Sequence, residues 1–140
     1  MMNLLLIVLF IIIAAISKSI RDKINFHYEK SIFSNFKNQK WWNPQISWKN
    51  KYKDCDETKG RSFIGSKTWL VFITDAWHFF ESLQLFSFFV SIILAFNFSY
   101  DLKWYWYILI FIFLKLIYSA TFELFWSKIL IYKEKKIKLG

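Results

Sequence analysis

The stretch Thr74–Phe98 reads "TDAWHFFESLQLFSFFVSIILAFNF". Its second half is almost continuously apolar, while its first half carries Asp75, His78 and Glu81 at helical spacing. A single helix from Trp69 to Phe98 would be about 45 Å long, which exceeds the ~30 Å of a bilayer hydrocarbon core. One end must leave the core, and the end with the ionisable groups is the one that can approach headgroups and water. This stretch predicts a membrane span with a polar end.

Two further runs share its character. Residues 2–20 hold an uncharged core, Leu4–Ile16, of spanning length once its flanks are added. Its charges follow the apolar run, and Ala14–Ala15 lie deep inside it. Both features favour a retained anchor over a cleaved signal peptide. The third run, 103–126, opens on "WYWY" at 104–107, which reads as an interfacial aromatic belt. Only the short connection "NFSYD" (97–101) separates the second and third runs, so these two helices are expected to form an antiparallel hairpin. Asn97-Phe98-Ser99 fits a glycosylation pattern, but it lies against the membrane and is discounted. The expected fold is an all-α membrane protein. It has one membrane domain, three transmembrane helices (2–20, 69–98, 103–126), a basic aromatic-rich segment (21–68) and a basic tail (127–140).

Composition agrees with this reading. Of 140 residues, 56% are hydrophobic and 23% aromatic, and the single Cys55 cannot form an internal disulfide. The net charge of +9 is concentrated. Between Lys18 and Lys67, twelve basic residues face five acidic ones, leaving +7; after Trp126, five lysines face Glu134, leaving +4. The turn between the last two runs holds only Lys103 beside Asp101. The positive-inside rule then predicts a cell-membrane protein with its N-terminus outside and its loop and C-terminus cytoplasmic, attracted to anionic lipid headgroups.

Within 17–40, apolar groups at Ile20, Ile24, His27/Tyr28, Ile32 and Phe36 predict an amphipathic helix that continues the first span or lies on the surface. Pro44 then stops a helix. "WWNPQISWKNKYK" (41–53) mixes rings with lysines, so Trp41, Trp42 and Trp48, with Trp104 and Trp106, are assigned to the lipid interface. The same mixture can stack on single strands, but no nucleic-acid fold fits in fifty residues beside a membrane. "DCDE" (54–57) lacks calcium-loop spacing and reads as a solvated acidic turn. "GRSFIGSKT" (60–68) fails as a phosphate loop because Ser66 separates Gly65 from Lys67. Ser66 or Thr68 is better read as a cap for the second helix.

On a helical wheel Thr74, Asp75, His78, Glu81 and Ser82 fall within about 120° of arc. Lys115, Ser119 and Glu123 form a second stripe at i, i+4, i+8. Intramembrane ionisable groups normally pair with one another, and a turn centred near 100–101 brings Glu81 within reach of Lys115 and His78 opposite Glu123. These pairs are the expected structural contacts. Two roles follow. The favoured one is polar glue in a non-enzymatic accessory or scaffold protein, with a second copy or a partner membrane protein as its expected partner and with no cofactor. The alternative is an interfacial enzyme or divalent-metal site, with Asp75, His78 and Glu81 as catalytic candidates and His27, Asp75, His78 and Glu123 as ligands.

"WWNPQISWKNKYK", "GSKT" and "TDAWHFF" together resemble a family of small bacterial multi-pass membrane proteins of the Bacteroidota type, over roughly residues 40–86. No activity is established for that family, so the resemblance implies no catalytic residue or cofactor. In architecture the chain is also similar to some phage holins, which makes a pore former a second alternative. Its fifty-residue loop departs from their short connections.

Overall fold

Residues 2–27 contain no Gly or Pro to break a helix. The computed structural model describes residues 2–96 and 102–132, and it folds the whole of that first stretch as α1 (Met2–His27). The helix therefore carries Lys18, Arg21, Asp22 and Lys23 beyond the uncharged run. After His27 the expected amphipathic helix gives way to short 3-10 turns, Tyr28–Lys30 and Ile32–Asn35. Two single-turn helices follow, α2 (Gln39–Trp42) and α3 (Pro44–Ser47). Pro44 opens α3, and the Asn43 side chain caps it by accepting the Gln45 N–H at 3.0 Å. The second long helix, α4, is Ala76–Phe96; Trp69–Thr74 lie outside it in turns. The third, α5, is Trp104–Leu124 and closes in a π-turn, Phe125–Ile129. Among the described residues there are only isolated β-bridges.

Three helices are thus long and apolar enough to cross a membrane. At 1.5 Å per residue, α4 and the α-helical part of α5 are each about 31 Å long, close to one hydrocarbon thickness. α1 is the common partner: it packs most extensively on α4 and next on α5. Direct contact between α4 and α5 is sparse and includes the rings of Phe88 and Tyr118, 5.8 Å apart. Small side chains explain the choice. Ala14, Ala15, Ser17 and Ser19 of α1 and Ala76, Ser87 and Ser91 of α4 are all buried, and small residues let helix backbones approach closely. Ser87 and Ser91 donate to the carbonyls of Leu83 (2.8 Å) and Ser87 (2.9 Å), so their hydroxyls are satisfied within the helix. α5 buries none of its residues, and Phe111, Phe113, Leu116 and Leu124 point outward. An apolar surface of that extent calls for lipid or another protein.

The aromatic segment caps the bundle where α1 ends and α4 begins. Ile24, Phe33, Ala76 and Leu130 form its core, with Trp41, Trp42, Trp77 and Phe80 packed around them. Trp42 stacks on Phe33 at 4.7 Å, and Trp41 lies 5.8 Å from Phe79. Backbone bonds from Ile32 N to Leu130 O (3.3 Å) and from Tyr132 N to Lys30 O (3.0 Å) tie the end of α5 into this cap. Gly65 has φ +87°, and a Cβ there would lie 3.1 Å from the Trp69 indole, so both backbone and space favour glycine. Buried Ser66 donates to Lys51 O at 2.8 Å. The "GRSFIGSKT" stretch is therefore a folded connector.

Candidate functional site

α4 starts at Ala76 because Asp75 caps it. The Asp75 carboxylate accepts the His78 backbone N–H at 3.0 Å, and its carbonyl accepts that of Phe79 at 3.1 Å. The capping residue is thus Asp75, not Ser66 or Thr68. Its second oxygen lies 2.7 Å from His78 Nδ1 and 3.1 Å from the Thr74 hydroxyl, which donates to it. The Asp75 side chain is only 2% exposed, against 23% for His78. Burial pushes the Asp75 carboxyl up, but the hydrogen bonds from the His78 ring and backbone, the charge of His78 and the Thr74 hydroxyl outweigh it. The carboxyl is held below its usual range. Asn50 ties the loop to this corner, donating through Nδ2 to Thr74 O (2.8 Å) and Lys40 O (2.6 Å).

One turn further along α4, Glu81 faces α1. Arg21 Nη1 lies 3.5 Å from Glu81 Oε1, and the same guanidinium binds Asp22 at 2.9 and 3.1 Å. Lys18 Nζ contacts the other Asp22 oxygen at 2.7 Å. On the other side of α1, Lys23 sits over the Trp126 ring at 4.0 Å, and His27 meets the same ring edge-on at 5.3 Å.

The expected partners are thus exchanged. Glu81 pairs with Arg21 instead of Lys115, and His78 pairs with Asp75 instead of Glu123. The physical reason is the position of α1, which takes the polar side of α4 that a direct α4–α5 pairing would have offered to Lys115. Lys115, Ser119 and Glu123 all lie exposed on α5. The stripe on α4 also divides: Glu81 turns to α1, while Ser82 opens onto an apolar groove of about 290 Å³ with Phe72, Phe79, Leu83 and Phe86. Of the tryptophans read as interfacial, Trp104 and Trp106 are exposed. Trp41 and Trp42 pack inward, and Trp48 meets Tyr52 with Lys49 and Lys51 above its ring. Sequence reasoning missed Arg21, Asp22 and Lys23 as partners, although their place one to two turns past an uncharged run was visible.

Chemically, a carboxylate that holds Nδ1 leaves the His78 Nε2 as the ring's remaining proton-transfer atom. Among the described residues no three His, Cys, Asp or Glu side chains converge, so His27 and Glu123 do not complete a ligand set around Asp75 and His78. In the acidic turn, Asp54 and Cys55 adopt positive φ, and the Thr58 hydroxyl and N–H donate to Asp56 at 2.7 and 2.9 Å, holding its carboxyl below the usual range. Comparison with protein-family models, with curated proteins and with solved structures finds no match to this chain. The class the fold supports is an all-helical chain with three helices able to cross a membrane.

Proposed function

We propose that this is a small three-span membrane protein with a non-enzymatic accessory or scaffold role, its basic segment and tail on the cytoplasmic face and its N-terminus outside. One observation carries the reading. The ionisable groups where the helices meet the loop are committed to internal partners: Asp75 caps α4 and holds His78, Arg21 joins Asp22 to Glu81, and Lys23 covers Trp126. Such an arrangement fixes helix positions. Exposed Ile64 and Trp69 flank Lys67, a pairing suited to anionic headgroups, and exposed Trp104 and Trp106 suit the opposite interface.

The Asp75–His78 pair, with Nε2 left over, favours a second reading: acid–base or metal-assisted chemistry at the membrane surface. Metal analysis of the purified protein separates the accessory reading from the metal-assisted one. The accessory reading predicts no stoichiometric metal in the wild type and no difference in His78→Ala. Stoichiometric metal that is lost in His78→Ala would overturn it.

A further inference from the structure

Lys115 stands at the middle of α5, eleven residues from Trp104 and eleven from Trp126. At 1.5 Å per residue each ring is about 16 Å away along the axis, whereas a lysine stem reaches roughly 6 Å. The ammonium group therefore stays in the hydrocarbon, out of reach of lipid phosphates. It is exposed, and among the described residues it has no ion pair or hydrogen bond. Its stem borders an apolar groove of about 360 Å³ with Ile11, Phe88, Phe111, Leu114 and Tyr118, contributed by all three long helices. Ser119 and Glu123 continue the same exposed face at i+4 and i+8.

We propose that this face of α5 docks a membrane-spanning helix of another protein that carries a carboxylate at mid-membrane depth, opposite Lys115. The inference rests on the reading that α5 spans a membrane. An exposed charge at that depth is stabilised by an opposite charge, and the neighbouring groove accepts apolar side chains of the same helix. A second copy of this chain does not supply the carboxylate. Copies inserted in one direction bring equal depths together, which sets Lys115 against Lys115 and Glu123 against Glu123. Glu81 is engaged with Arg21, and Glu123 lies about 12 Å from the level of Lys115.

The test uses the full chain in phosphatidylcholine vesicles, labelled at exposed Cys55, with leucine-rich spanning peptides that carry a central Glu or a central Gln. Energy transfer should report at least tenfold tighter association of the Glu peptide. That preference should vanish in Lys115→Met and persist in Lys115→Arg. Equal binding of the two peptides, or a preference that survives Lys115→Met, would overturn the proposal. So would self-association of the wild type that Lys115→Met abolishes, because the occupant would then be a second copy. Carbonate extraction of the same vesicles reports insertion separately. A chain released by carbonate would refute the span reading and the docking site together, whereas an inserted chain with no peptide preference would refute the docking site alone.

Discussion

Asp75 has three tasks in one buried side chain: it caps α4, orients His78 and accepts the Thr74 hydroxyl. Asp75→Ala should cost about 1–2 kcal/mol, typical of a lost N-cap, and Asp75→Asn, which keeps an acceptor, should cost less. The pH dependence has a definite sign. The folded carboxyl is held below the usual value of about 3.9, so its contribution is complete above that pH and is lost as pH falls through it towards the folded value. Thermal unfolding in detergent should therefore show the wild type losing stability below about pH 4, with a smaller loss in Asp75→Asn. The need of these groups for partners was legible in the sequence. The cap was not, because apolar Trp69–Ile73 extend the helical pattern past the true start. Gly65 was equally hidden: its φ of +87° disfavours any side chain, and the Trp69 indole 3.1 Å from where a Cβ would sit adds crowding that is a tertiary fact.

At the scale of elements, the pairing of α1 with α4 decides which charges meet. Ser87 and Ser91 lie one turn apart on the buried face of α4. Leucine at either position would force the backbones apart and should cost about 1–3 kcal/mol in mixed-micelle unfolding, while alanine should be nearly neutral. A cost no greater for leucine than for alanine would remove the close-packing argument. The three apolar helices were readable from length and composition alone. Their neighbours were not, because a short connection between the second and third runs suggested that those two pack directly, and nothing local ranks the first helix as a competitor. The small-residue spacing at 87–91 and Ala14–Ala15 was the available signal. Once α1 lies between α4 and α5, Arg21 reaches Glu81 before Lys115 can, and the Lys115–Ser119–Glu123 stripe is left facing outward.

Across the whole molecule, apolar surface and charge are segregated. The outward faces of α4 and α5 are rich in exposed Phe, Leu and Ile, while the capping segment exposes Lys37, Lys40, Lys49, Lys53, Lys59 and Lys67. In the arrangement proposed above, the cap lies on the cytoplasmic side, where basic residues are retained during insertion. Cys55 is the chain's single cysteine and lies exposed in the cap, so the native protein carries its own topology probe. Labelling with a membrane-impermeant maleimide tests the arrangement most directly, with Cys55→Ser as the unlabelled control. A cytoplasmic cap requires labelling of Cys55 in inside-out vesicles and none in intact cells; labelling from outside intact cells would contradict it.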